Sequence, residues 1–253
     1  DHRDLHSFPT RRSSDLGIWK FLSLVAVTFI IQRFGVNLHL FKNAWLDTMV
    51  LILWLVGVTS AFNGIDNMDG LASGVATITS AVYLFIAVQA WIVVRTETSL
   101  AWFGMLAAGL IGANLGFLVF NFKPAKIFMG DSGSFFLGFM LAALGVMGEW
   151  TENRVISCMI PGLILGVPLF DFGYVLITRI LKGETRTVSS IINHCALDHM
   201  SHRLTWIGLS QRQAVLFIYL ISIALGATGI LVRNSVNYLD SALGIIQGLA
   251  ILT

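Results

Sequence analysis

Charge is what this chain has least of. Its 253 residues hold 16 Lys and Arg and 14 Asp and Glu, so 12% are charged, while 56% are hydrophobic and the mean hydropathy is +0.79. Soluble domains carry about twice that share of charge. So little polar surface excludes an ordinary water-soluble globule, and the apolar excess makes the bilayer the expected solvent. Cysteine is almost missing: Cys158 and Cys195 fit no disulfide framework and no zinc spacing. The net charge of +2 is too small to argue for nucleic acid. No stretch alternates apolar and polar residues with period 2, which excludes a membrane barrel. No internal repeat is visible.

What is present is a series of long apolar runs. A helix needs about 20 mostly apolar residues to span a bilayer. That length predicts an all-α, polytopic integral membrane helix bundle with about eight transmembrane segments, near 17–35, 44–62, 71–94, 99–120, 133–150, 155–181, 213–232 and 238–253. Glycines inside them, among them Gly109, Gly112, Gly116, Gly138 and Gly145, are suited to close helix packing. The first sixteen residues do not match. They are polar, basic and without helical period, and HSFPTRRSSDL at 6–16 coincides with one reading frame of a common short-read sequencing adapter. Residues 1–16 are therefore set aside as non-native, and 17–253 are taken as one transmembrane catalytic domain. The expectation is that the native chain begins upstream of Gly17. The last run, which stops at Thr253 without a flank, leaves a cut there open too.

Lys and Arg give the orientation. One side collects Lys20, Lys123, Lys126, Arg179, Lys182, Arg186, Arg203 and Arg212; the other holds Arg33, Lys42, Arg95, Arg154 and Arg233. The longest loop, about 182–212, is on the richer side, which is expected to be cytoplasmic.

Three polar motifs fall on that same side. The first is Asn63-Gly-Ile-Asp66-Asn67-Met-Asp69-Gly70. If the preceding helix continues, Asn63, Asp66 and Asp69 share a face at i, i+3 and i+6. Two carboxylates there suit a base, a ribose or a metal. A plain helix-capping loop reads equally well, and a calcium loop reads less well because the closing Glu is missing. The second runs from Asn121 through Lys123, Lys126, Phe128 and Asp131 to Ser134. Asp131 is expected at the N-cap of the fifth span, where free N–H groups favour anions and a carboxylate can bring Mg²⁺ to a pyrophosphate. The competing reading is a capped helix with snorkelling lysines. GDSG within it is also the string of a trypsin-type nucleophile loop, but the His and Asp partners and the soluble barrel are missing. The third is Asp198-His199-Met200-Ser201-His202-Arg203-Leu204. His199, His202 and Arg203 at i, i+3 and i+4 suit a phosphate and sugar hydroxyls. The alternatives are a basic loop against lipid headgroups and, less well, a zinc site short of a third ligand. A fourth feature is Asp171, an ionisable residue within the sixth span and so a functional candidate. Its structural alternative is pairing with Arg179, and Pro161 and Pro168 can kink that span.

Together these strings resemble the polyprenyl-phosphate N-acetylhexosamine-1-phosphate transferase family over about residues 17–253. NGIDNMDGLA at 63–72 is similar to the family's NLIDGLDGLA, and PAKIFMGDSGSFFLGF at 124–139 to PAKIFMGDSGSLFLGF, the most specific match. Asp171 lies in a matching VPLFD. The third motif departs from the common HLHHRL form and resembles a DHTSHRL variant, which lacks one His. VPLFD and the SHR ending put the chain nearer the N-acetylglucosaminyl branch than the muramoyl-pentapeptide branch.

The resemblance implies transfer of N-acetylhexosamine-1-phosphate from a UDP-sugar to polyprenyl (undecaprenyl) phosphate with release of UMP, starting cell-wall or surface-glycan assembly such as lipopolysaccharide. It implies Mg²⁺, with Mn²⁺ as an alternative, held by Asp131. It implies catalytic roles for Asp66, Asp69, Asp131, His199 and His202, and substrate contacts from Asn63, Lys126, Phe128, Asp171 and Arg203, with Phe128 stacking on the uracil. It places the enzyme in the cell membrane with its site facing the cytoplasm, and leaves a homodimer open. The family's adjacent Asp-Asp pair, expected just before the span that starts at Gly17, is absent. Asp15 belongs to the adapter string, so the chain as written is expected to be inactive. The reading of another class is a secondary transporter, which would set its charges near the bilayer midplane between related repeats.

Overall fold

The computed structural model describes residues 13–94, 98–148, 150–182 and 199–253. Arg95, Arg186, Cys195, Asp198 and most of the 182–212 loop lie outside these. The described residues form helices and contain no strand: α1 (Ser13–Arg33), α2 (Ala44–Ile65), α3 (Leu71–Val94), α4 (Thr98–Asn121), α5 (Gly130–Met147), α6 (Arg154–Ile164), α7 (Gly166–Leu181), α8 (Met200–Trp206), α9 (Gln211–Asn234) and α10 (Tyr238–Leu252). Helix α1 begins at Ser13 and so takes in the last four of the sixteen residues set aside above.

Five helices are long and apolar enough to cross a membrane: α2, α3, α4, α5 and α9; the pair α6–α7 makes a sixth if taken as one bent span. Among the described residues the count thus does not reach the eight expected. Helix α1 is not among the five, and α10 has only 15 residues. The sixth predicted run is not one helix, because α6 and α7 meet at 83° around Leu165. The cause is local. Pro168 has no N–H to bond Ile164 O, and in a continuous helix its ring would strike that carbonyl. At the third position of a new helix the missing N–H costs nothing.

Packing centres on α2, α3, α5 and α9, with α4 lying along α3 and α10 along α9. Gly138 lets α5 press onto α2: a Cβ there would come within 2.8 Å of Thr59 Cα and Phe62 Cβ. Between α3, α4 and the loop after α5, the rings of Tyr83, Phe103 and Trp150 cluster at 5.3–5.9 Å, and the Trp150 indole donates to Gly145 O at 2.8 Å. Gly109, Gly112 and Gly116 do not serve the packing expected of them; nothing among the described residues comes within 4 Å of a Cβ at any of the three. They lie on the outer side of α4, with exposed Trp102, Leu115 and Val119. Such a surface suits lipid, where every backbone group is satisfied inside the helix.

The two ends of the bundle separate the basic residues as predicted wherever contacts are described. Lys20 of α1 reaches Asp131 at the start of α5, and Arg212 donates to Lys123 O at 2.9 Å. At the other end Arg154 donates to His39 O at 2.7 Å.

Candidate functional site

All three motifs meet at one end of the bundle. Helix α2 stops at Ile65, and Asp66 is its C-cap with φ −77° and ψ 51°. Asn63, Asp66 and Asp69 therefore do not share one helical face, as the spacing predicts for a continued helix. They separate into three contacts with the second motif. Asn63 Oδ1 accepts from Ser134 Oγ at 2.8 Å. Asp66 receives the Gly130 N–H. Asp69 Oδ2 accepts the Ala125 N–H at 3.1 Å.

The turn between α2 and α3 is held from below. Gly70 takes φ +79°, a conformation only glycine adopts without strain. Its N–H goes to Asn121 Oδ1 at 3.0 Å, and its carbonyl accepts from the Tyr219 hydroxyl. Asn121, buried at the end of α4, also accepts from Ser73 Oγ at 3.2 Å and donates to Ile127 O at 2.9 Å. One amide thus ties the first motif to the second.

Asp131 is not an N-cap. Met129 holds that position and Asp131 is the second residue of α5, with no side-chain cap bond made there. Its carboxylate is left for other work: it is 65% exposed and pairs with Lys20 Nζ, itself 34% exposed. Lys20 also lies 5.0 Å from the Phe135 ring. An ion pair this accessible to water contributes little to stability and exchanges readily. Beside it the Asp66 carboxyl is pushed up to about 6, first by burial and then by the negative charge of Asp131, against the Gly130 N–H. Two carboxylates that repel each other, one half-buried and one at the surface, form a pair that a divalent cation would stabilise. Among the described residues no three His, Cys, Asp or Glu side chains converge to hold a metal by themselves. Mg²⁺ asks for less, since one or two carboxylates suffice when phosphate oxygens and water complete its shell. The residues present fit that requirement, since Asp131 and Asp66 offer two neighbouring carboxylates at the end of the bundle. Phe128, 77% exposed, and Lys126 stand on the same loop and face outward.

The third motif forms α8, with His199 as its N-cap residue. Asp171 holds it: Oδ2 lies 2.6 Å from His199 Nδ1, and Oδ1 accepts the Met200 N–H at 2.6 Å. Both oxygens of this buried carboxylate thus serve α8, rather than the pairing with Arg179 that the sequence leaves open. The break at Leu165 is what puts Asp171 at the site and not within a straight span. One turn on, Arg203 donates to the Tyr174 hydroxyl at 2.6 Å and stacks 4.4 Å from its ring. His199 and Arg203 therefore do lie on one face, against α7. His202 has its proton affinity lowered, first by burial and then by His199, with Asp171 opposing. Sequence alone assigns no site role to Lys20, Asn121, Tyr174 or Tyr219. Asn121 opens the second motif and Lys20 counts only among the basic residues of that side, while nothing in sequence marks Tyr174 or Tyr219.

Fold and site together define a polytopic, all-α integral membrane protein whose polar side chains converge at one end of the bundle. Residues 16–149, over half of the chain, match the pattern of glycosyl transferase family 4. The chain belongs to that family. It is 35% identical over 230 residues to a Bacillus subtilis (strain 168) protein named probable undecaprenyl-phosphate N-acetylglucosaminyl 1-phosphate transferase, covering 87% of this chain and 60% of the relative. It is 41% identical over 128 residues to a phospho-N-acetylmuramoyl-pentapeptide-transferase of Limosilactobacillus fermentum (strain NBRC 3956), covering 50% of this chain and 38% of the relative. A protein of the same name from Levilactobacillus brevis (strain ATCC 367) is 43% identical over 158 residues, 62% of this chain and 44% of the relative. The chain thus spans 60% or less of the length of these relatives.

Proposed function

We propose that this chain forms the membrane-embedded site of an enzyme that transfers N-acetylhexosamine-1-phosphate from a UDP-sugar to polyprenyl phosphate and releases UMP. The names of the relatives support the acceptor and the transferred group. The observation that carries the reading is the repelling pair Asp66 and Asp131, with Lys20 beside it, at the end of an apolar bundle. Such a place suits a polyphosphate that meets a lipid. Transporter-like charge at the midplane between repeats is not what these residues form.

In this reading a lipid phosphate oxygen attacks the sugar-bearing phosphorus, and the bond to the UMP phosphate breaks with its electron pair leaving on UMP. Phosphoryl transfer of this kind depends on positioning and charge stabilisation. Asp131 and Asp66 would hold Mg²⁺ or Mn²⁺, which would supply neutralisation of the pyrophosphate charge. Lys20 and Lys126 attract the donor phosphates, and exposed Phe128 offers its ring to the uracil. Arg203, oriented by Tyr174, holds a phosphate. His202 and His199, the latter fixed by Asp171, hydrogen-bond the sugar phosphate. Asn63 and Asp69 keep the two loops in register. With UDP-N-acetylglucosamine as donor, UMP should appear only when polyprenyl phosphate and a divalent cation are both added; UMP formed equally without the lipid would contradict the acceptor.

The site faces the cytoplasm, on the basic side of the cell membrane, where a UDP-sugar is available. Ile207, exposed just after α8, reports the orientation without touching the capping box of Ser210 and Gln213. With Cys158 and Cys195 replaced, Ile207→Cys should resist an impermeant thiol reagent in intact cells and react once the cells are opened. Labelling in intact cells would invert the topology.

A further inference from the structure

Asn67 and Ser201 are among the positions at which this chain departs from NLIDGLDGLA and HLHHRL; Gly64, Met68 and Met200 differ too, and Ser201 agrees with the DHTSHRL variant. Aligned on the shared Asp66 and Asp69, Asn67 stands where NLIDGLDGLA has Gly. Aligned on the shared His202-Arg203-Leu204 ending, Ser201 stands where HLHHRL has His. The two are 134 positions apart, yet Ser201 Oγ donates to Asn67 Oδ1 at 2.6 Å. Asn67 Nδ2 in turn donates to Gly64 O at 2.8 Å, closing the last turn of α2. Ser201 is 2% exposed. Backbone geometry does not account for Asn67, because it is not among the non-glycine residues with positive φ. Its amide is used entirely as a connector, with its donor on α2 and its acceptor on α8. The two motifs also meet beside this bond, where a Cβ on Gly64 would sit 3.2 Å from His199 Cε1.

We propose that Asn67 and Ser201 are a matched pair of positioning residues. Their hydrogen bond sets α8, with His202 and Arg203, against the turn that carries Asp66 and Asp69. This rests on the transferase reading above for its effect on rate, but not for the contact itself. Helix α8 has only seven residues and cannot hold its place by its own ladder. Asp171 fixes its first residue and Tyr174 its middle, both from α7. The Asn67–Ser201 bond is the side-chain tie to the carboxylate turn. Burial makes it specific, since a lone buried acceptor or hydroxyl costs more than the bond gains.

The test is a double-mutant cycle in the full-length enzyme with Asn67→Ala, Ser201→Ala and the pair, with Ser201→Thr as the variant that keeps the hydroxyl. Two quantities are read: kcat and KM for the UDP-sugar, and the rate at which diethyl pyrocarbonate modifies His202, followed by mass spectrometry. Each Ala variant should lower kcat about tenfold with KM little changed. The double variant should lose no more than either single, because one bond is removed in all three. His202 should become more reactive to the same extent in all three, and Ser201→Thr should restore both readouts. Multiplied losses in the double variant, or unchanged His202 reactivity in the singles, would overturn the pairing. If the unaltered protein makes no transfer, the proposed function fails, while the His202 reactivity still decides the pairing by itself.

Discussion

Asp131→Asn in the full-length enzyme should lower transfer by roughly 1,000-fold while leaving the protein folded in the membrane. The magnitude is that of removing a charge-stabilising group from an active site, on the order of 10²–10³ in rate. The structure explains why folding should survive. Asp131 caps no helix, since Met129 occupies the N-cap, and its carboxylate is 65% exposed. Asn keeps the volume and loses only the exposed pair with Lys20, and surface changes of that kind stay within about 0.5 kcal/mol. The substitution also removes one of the two causes that hold the Asp66 proton, leaving burial as the other. Stability should therefore be unchanged or slightly higher at neutral pH, where ionised Asp66 no longer faces a second negative charge. Melting in detergent and a Mg²⁺ titration of turnover check both halves. Near-normal turnover at any Mg²⁺ concentration would take Asp131 out of the metal site.

Asp171→Asn should be the second most damaging change, on the order of 100-fold in kcat, or about 2.7 kcal/mol at 1.36 kcal/mol per tenfold. Asp171 is 3% exposed and its two oxygens serve the His199 ring and the Met200 N–H. An amide can still accept from Met200, so α8 should remain formed. Towards His199 it presents an NH₂ donor instead of an acceptor. The ring must then take its proton on Nε2 rather than Nδ1, which reverses what its outer nitrogen offers to a ligand. The loss should fall on kcat, with thermal stability nearly kept. Asp171→Ala should go further and destabilise the protein, because it leaves the Met200 N–H without its acceptor. An Asp171→Asn enzyme with full kcat would show that the His199 tautomer does not matter to the reaction.

How legible all this is from sequence depends on scale. The three polar strings and their gathering at one end follow from motif and charge position, and the structure agrees; it also places Lys20, Lys123 and Arg212 at that end and Arg154 at the other. Features set by a single backbone event do not. Spacing allows the helix to continue through Asp69, but α2 stops at Ile65 and sends Asn63, Asp66 and Asp69 to three different partners. Hydropathy alone reads the sixth run as one span, whereas Pro168 breaks it at 83° and so brings Asp171 to His199. Asp131 has the pattern of a cap, yet the cap falls two residues earlier, at Met129. Tyr219 supports Gly70 from 149 positions away, a distance at which no local pattern operates.

The proposed reaction differs from ordinary glycosyl transfer in one atom, the phosphorus next to the sugar. The most direct measurement therefore follows that atom, using the full-length enzyme with Mg²⁺, undecaprenyl phosphate and UDP-N-acetylglucosamine carrying ³²P in the β position. If the site at Asp66, Asp131 and His202 works as proposed, the label moves into the lipid product and the released nucleotide is unlabelled UMP. Label that stays with the nucleotide as UDP, while sugar reaches the lipid, would contradict the central claim and make this chain a plain glycosyl transferase.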